Sequence, residues 1–111
     1  MKLMIFVLNK LDVMNFLLED FMKAGIKGAT IINSTGMAMT LAKLEGGFFS
    51  NSLRAIFDVD REDNRTILAV IKDDQLEVAR QVIIDVVGDL SKPNTGVLFT
   101  VPIDFVEGIR Q

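Results

Sequence analysis

The stretch that divides this chain reads GMAMTLAKLEGGFFSNSLRAIFDVDREDN, from Gly36 to Asn64. It lies between two strand-like segments and is far longer than the usual connection of about 4–6 residues, and long connections are usually either functional or disordered. It is rich in Met, Leu, Ile and Phe. Apolar side chains in such number need a surface to pack against, which is the chain's own core, a second copy of the chain or a partner protein.

On each side of this stretch the same order recurs: a strand, a helix and a second strand. Continuous apolar runs predict strands at residues 3–8, 29–34, 66–71 and 97–101. Apolar residues at helical spacing predict one helix over about residues 11–24, ended by Gly25, and another from Asp74 to Gly88. Within the dividing stretch, residues 37–44 favour a short helix and residues 51–57 a second short piece.

This order is the split βαβ arrangement of ferredoxin-like folds. We therefore predict an α+β fold of the ferredoxin-like βαββαβ type, with an antiparallel four-stranded sheet and a long loop between strands two and three. Residues 1–111 are expected to form one domain in which residues 36–64 are an insertion.

Two long helices can cover one face of such a sheet. The predicted strands, however, are apolar at odd and even positions alike, whereas a half-exposed antiparallel sheet alternates apolar and polar residues. The second face must therefore be hidden as well, which predicts an obligate oligomer. The Met and Phe side chains of the two long helices are expected in the core.

Composition narrows the range of functions. The net charge is −3 without a basic run, so nucleic acid is not an expected partner. The chain has no Cys, His, Tyr or Trp, which removes thiol chemistry, thiolate metal sites and the commonest general base, so an enzyme is not expected. The first apolar run is too short for a signal peptide or a membrane span, so we expect a cytoplasmic protein without direct membrane insertion.

Two segments of the chain resemble the PII (nitrogen regulatory protein P-II, GlnB-like) family of signalling proteins. GIKGATIINSTGMA, residues 25–38, resembles the family's second strand and the glycine at the base of its long T-loop. NTGVLFTVPIDFVEGIR, residues 94–110, resembles its phosphate-contacting loop, last strand and closing arginine segment. Asp73-Asp74 at the start of the second helix fits too, so the resemblance covers the chain outside the dividing stretch.

The resemblance implies a homotrimer with an adenine nucleotide in each of three clefts between subunits, and no tightly bound cofactor. Gly36 matches the T-loop glycine, and Gly28 and Thr30 match residues that a neighbouring subunit offers to the nucleotide. Gly96 matches the last glycine of the phosphate-contacting turn. The candidate nucleotide-binding residues are therefore Gly28, Thr30, Gly36, Met37, Lys92, Gly96 and Arg110.

The chain departs from the family pattern at several positions. Val97 stands where a lysine follows the last glycine, and Gly108 replaces the first of two closing arginines. Losing two charge-assisted contacts weakens the binding of a triphosphate by about a hundredfold or more. Lys92 is the residue placed to compensate. Without tyrosine, nucleotidylation of a loop tyrosine is excluded, and without the usual glutamine-rich loop 2-oxoglutarate is not the expected effector.

In the family the T-loop docks on a target, either a transporter or a metabolic enzyme. By this resemblance residues 36–64 are the T-loop of the chain, and Phe48, Phe49 and Leu53 are the candidate partner-docking residues.

The residues leave alternatives open. Gly36 is also compatible with a plain turn glycine. Residues 91–96 are also compatible with an ordinary connecting turn. Arg110 is also compatible with a charged side chain exposed to solvent. Fold alone does not decide function, so an ACT-like, amino-acid-sensing module of the same fold class remains the alternative to a PII-like signalling protein.

Overall fold

The computed structural model describes residues 1–44 and 64–109. These residues form three α-helices, α1 (Met14–Lys23), α2 (Met37–Lys43) and α3 (Leu76–Val86), and four strands, β1 (Lys2–Leu8), β2 (Thr30–Asn33), β3 (Arg65–Ile71) and β4 (Gly96–Pro102). Single turns of 3₁₀ helix, Leu11–Val13 and Asp73–Gln75, lead into α1 and α3. Every predicted strand is present with its ends shifted by no more than one residue, and the short helix predicted from residue 37 is confirmed as α2.

The strands form one sheet in the order β2-β3-β1-β4. Each neighbouring pair is antiparallel, with Ile5 of β1 opposite Leu68 of β3 on one side and Phe99 of β4 on the other. Each strand-helix-strand unit is therefore split by a strand of the other unit. The predicted α+β fold with a four-stranded antiparallel sheet is confirmed, and it is consistent with a ferredoxin-like arrangement.

One face of the sheet, which we call the covered face, packs against α1 and α3. Alternate residues of β1 and β3 on this face are buried together with the inner stripes of both helices. The core consists of Met4, Phe6, Leu8, Leu17, Phe21, Ile26, Ile67, Ala69, Ile71, Ala79, Ile83 and Val87.

Gly25 ends α1 in the left-handed region, with a φ of +94°. Its N–H donates to the Met22 carbonyl at 3.1 Å, and the Ile26 N–H donates to the Phe21 carbonyl at 2.9 Å. This pattern satisfies the last carbonyls of the helix and is favourable for glycine, which has no Cβ to strain. The turn sends the chain back to the sheet and places Ile26 in the core.

The opposite face, which we call the open face, is apolar and has neither long helix on it. The residues that alternate with the buried ones lie here, and none carries a charge: Leu3, Ile5, Val7, Thr30, Ile32, Thr66, Leu68, Val70, Val97, Phe99 and Val101. Phe99 is 46% exposed and Val97 57% exposed. The prediction that these strands are apolar on both faces is confirmed, and the oligomer that would hide the open face stays a prediction.

The expectation that all Met and Phe residues of the long helices are core is wrong for two of them. Phe16 is 64% exposed and Met22 56% exposed, whereas Phe21 is buried. The stripe of α1 that faces the sheet passes through Leu17 and Phe21, four residues apart, and leaves Phe16 and Met22 beside it.

The dividing stretch also places its apolar residues unevenly, since Met39 of α2 is buried and Met37 is 79% exposed. The second short piece predicted at residues 51–57 lies outside the described residues. In the part of the chain that is described, no helix is long and apolar enough to cross a membrane.

Candidate functional site

A cleft of about 870 Å³ opens between the segment that leads into β2, the centre of the sheet and the closing segment of the chain. Its floor includes three open-face residues, Leu3, Leu68 and Val70. Its polar lining residues include Lys27, Thr30, Lys72 and Gln75, and Gly108 and Ile109 close the far side. An apolar floor with a few convergent polar groups is typical of a small-molecule site.

Gln75 braces two walls of this cleft. Its Oε1 accepts a hydrogen bond from the Lys72 N–H at 2.8 Å, which caps the turn that begins α3. Its Nε2 donates to the Gly25 carbonyl at 3.4 Å, and Gly25 lies in the turn after α1. One side chain therefore connects the loop after β3 with the loop before β2.

The charged residues that line the cleft are Lys27, Lys72 and Met1, which carries the amino group of the chain, and no Asp or Glu is among the described lining residues. Asp73 follows Lys72, but its carboxylate lies 3.4 Å from the Met1 amino group and 3.9 Å from Lys2 Nζ. No ion pair of Lys27 or Lys72 is found among the described residues. The cleft is therefore electropositive.

Two of the candidate residues, Gly28 and Thr30, line this cleft. A Cβ built on Gly28 would meet no atom within 4 Å, and the Gly28 φ is not left-handed. The chain's own packing and backbone therefore set no requirement for glycine at this position. Open space here allows the close approach of something outside the chain.

Gly36 and Met37 lie beyond the other end of β2. Gly36 precedes α2 with an extended backbone, and its carbonyl accepts hydrogen bonds from the Thr40 N–H and Oγ1 at 3.0 and 2.9 Å. A Cβ on Gly36 would lie 3.5 Å from Asn64 Nδ2, an ordinary contact. The fold therefore does not require glycine at position 36 either.

The two ends of the dividing stretch are joined at this point. Ser34 Oγ donates to Asn64 Oδ1 at 2.5 Å, and the Ser34 N–H donates to the Asn64 carbonyl at 3.2 Å. The chain therefore leaves the sheet after Ser34 and meets it again at Asn64 at one place, beside Gly36.

Lys92 belongs to the turn before β4, and Gly96 is the first residue of that strand. Gly96 is buried against the covered face, and a Cβ there would lie 2.7 Å from two Phe6 ring carbons and from the Val7 carbonyl oxygen. This separation is shorter than real Cβ contacts, so packing alone requires glycine at position 96. Lys92, by contrast, is exposed.

The same turn already binds a carboxylate of its own chain. Asp89 Oδ1 accepts hydrogen bonds from the Ser91 N–H at 2.9 Å and the Ser91 Oγ at 2.8 Å. These two bonds, led by the backbone one, hold the pKa of Asp89 below its usual value. Thr95 Oγ1 donates to the Lys92 carbonyl at 2.9 Å. The geometry favours an ordinary connecting turn over an anion cradle.

Within one chain the candidate residues form three groups. Gly28 and Thr30 line the cleft, Gly36 and Met37 lie beyond the far end of β2, and Lys92 and Gly96 lie before and at the start of the opposite edge strand. The edge strands are three strand spacings apart, about 14 Å. A single chain therefore does not bring the groups together. Arg110, Phe48, Phe49 and Leu53 lie outside the described residues.

The sequence did not single out Lys27, Lys72 or Gln75. No local pattern could have found them, because the cleft joins segments that lie before β2 and after β3. The signal is the sheet register, which places Thr30 opposite Leu68 and so aligns the two segments.

The sequence matches no protein-family model and no curated protein. Among the described residues no group of three or more His, Cys, Asp or Glu side chains could hold a metal ion.

Proposed function

We propose that this chain is a non-catalytic, PII-like signal-transduction protein. Three copies associate through their open faces, an adenine nucleotide binds in the clefts between them, and residues 36–64 dock on a target protein. The observation that carries the proposal is the uncharged, apolar open face, which borders the electropositive cleft at Leu3, Leu68 and Val70.

The open face supports association of identical copies. Monomeric proteins rarely leave a contiguous apolar patch of this kind in water. A second copy offers the same uncharged surface, and closed symmetric assembly is the usual arrangement of identical subunits. In a closed trimer each open face turns toward a central axis.

Association also supports the nucleotide site. The three groups of candidate residues are apart in one chain, so a complete site needs residues from two copies. In the proposed trimer, Gly28 and Thr30 of one copy meet Gly36, Met37 and Lys92 of its neighbour. Gly28 and Gly36 suit such a cleft because neither glycine is required by its own chain.

The base of the dividing stretch supports the coupling of ligand and target. The Ser34–Asn64 hydrogen bonds fix where the chain leaves the sheet after β2, and exposed Met37 follows Ser34 by three residues. A ligand bound at Gly36 is therefore positioned to alter how the stretch is presented.

A thermal-shift panel of ATP, ADP, AMP, cyclic AMP and amino acids tests the proposal. A ligand at about 100 times its Kd adds roughly 2.7 kcal/mol, which raises Tm by about 10 °C. Gly28→Val should fold normally, because its side chain enters open space, and should lose the nucleotide shift. If no nucleotide shifts Tm at millimolar concentration, the proposal fails. If amino acids shift it instead, an ACT-like sensor is supported.

A further inference from the structure

We propose that Lys27 and Lys72 are the anion-binding pair of the cleft and that its nucleotide carries one phosphate rather than three. The assignment rests on the proposed function for the nucleotide itself. The role of the two lysines and the number of phosphates that they favour are inferred from the charges around the cleft.

The two lysines lie in two different loops that line the cleft. Lys27 lies in the loop between α1 and β2, and Lys72 lies in the loop between β3 and α3. Gln75 connects these loops through its bonds to the Lys72 N–H and the Gly25 carbonyl. Because the two walls are braced, the lysines can close on one anion without first ordering the loops.

Charge favours a monophosphate. A phosphate monoester carries about −1.5 to −2 at neutral pH, which two lysine side chains neutralise. Further phosphates add negative charge, and among the described residues of the cleft the one other cation is the Met1 amino group, which the Asp73 carboxylate already pairs at 3.4 Å. The charge of the cleft therefore matches a nucleotide with one phosphate better than one with three.

The turn before β4 brings one lysine, Lys92, together with one carboxylate, Asp89, and so adds no net positive charge to the cleft. Val97 and Gly108 stand where the resemblance placed a lysine and an arginine. Asp89, whose pKa is lowered by its bonds from Ser91, keeps a negative charge in the same turn as Lys92. A triphosphate reaching this turn would meet that carboxylate.

The rest of the cleft suits the body of a nucleotide. Leu3, Leu68 and Val70 form an apolar floor for a flat base. Thr30 offers a hydroxyl, and Gln75 Nε2 has a second hydrogen besides the one that it donates to the Gly25 carbonyl.

Calorimetric titration of the full chain with AMP, ADP, ATP and adenosine tests the pair. AMP should bind more tightly than ATP. Lys27→Ala and Lys72→Ala should each weaken AMP binding about tenfold, which is the lower end of the effect of losing one hydrogen bond to a charged group. Both variants should leave adenosine binding unchanged. Lys10→Ala, an exposed lysine away from the cleft, is the matched control and should change nothing. Thermal melts check that each variant folds.

The outcomes separate the pair from the proposed function. If the unaltered chain binds none of the four compounds, both fail. The lysine pair is wrong, and the nucleotide function stands, if the unaltered chain and the two lysine variants bind AMP equally well. The same conclusion holds if Lys92→Ala weakens AMP binding and the two lysine variants do not. If ATP binds more tightly than AMP, the preference for one phosphate is wrong.

Discussion

The two faces of the sheet are built from the same strands and have nearly the same apolar character, yet they have different surroundings. On the covered face Met4, Phe6 and Leu8 of β1 are buried beneath α1 and α3. On the open face Val97, Phe99 and Val101 of β4 remain substantially exposed. The chain itself completes the covered face, whereas the proposed oligomer would cover the open face with a second copy.

Because of this difference, substitutions on the two faces should change the free energy of unfolding in different ways. Covered-face residues should affect the free energy of unfolding at any protein concentration. Open-face residues should affect it through association, and therefore in a concentration-dependent way. Substitutions on each face can be compared on this basis.

The largest effect is expected for Phe6→Ala. Phe6 is fully buried in the core, and removing its ring should lower the free energy of unfolding by about 3–5 kcal/mol through lost burial and a residual cavity. Urea denaturation at two protein concentrations measures it, and the loss should be similar at both. A loss well below 1 kcal/mol would contradict the assignment of Phe6 to the core.

A smaller effect is expected for Gly96→Ala. The new Cβ would lie 2.7 Å from the Phe6 ring and the Val7 carbonyl oxygen, and such overpacking costs about 1–3 kcal/mol. Gly36→Ala is the matched control, because its Cβ meets Asn64 at 3.5 Å, and it should stay within about 0.5 kcal/mol of the unaltered chain. Equal melting temperatures for the two variants would show that packing does not require Gly96.

The smallest effect on a single chain, with the largest effect on association, is expected for Phe99→Lys. Because the ring is half exposed in the single chain, its replacement should change the stability of the monomer by less than about 1 kcal/mol. A charge in the centre of an apolar interface, however, should dissociate the oligomer.

Phe16→Lys is the control for this substitution. Phe16 is also an exposed phenylalanine, but it lies on α1 rather than on the open face. Light scattering should give a monomer for Phe99→Lys and an unchanged mass for Phe16→Lys. The reverse result would place the interface on the helices.

The fold was largely predictable because each element has a local signal. Uninterrupted apolar runs mark β1 and β3, and Gly25 and Gly88 end the long helices with positive φ. It was less predictable which apolar side chains of a helix face the sheet. Phe16 and Phe21 are both phenylalanines of α1, but only Phe21 lies on the buried stripe that passes through Leu17.

The candidate site was only partly predictable. Gly28 and Thr30 were found through a resemblance in one local segment. Lys27, Lys72 and Gln75 were missed because the cleft depends on which strands are neighbours. Gly96 was predicted as a ligand residue, and the structure adds a packing reason for it that lies in Phe6, far away in sequence.

The most direct test of the account is the mass of the chain in solution at micromolar concentration, by light scattering or native mass spectrometry. We expect three times the 12.3 kDa of one chain. A stable monomer at that concentration would contradict it, because the open face would then be exposed to water without a second copy to cover it.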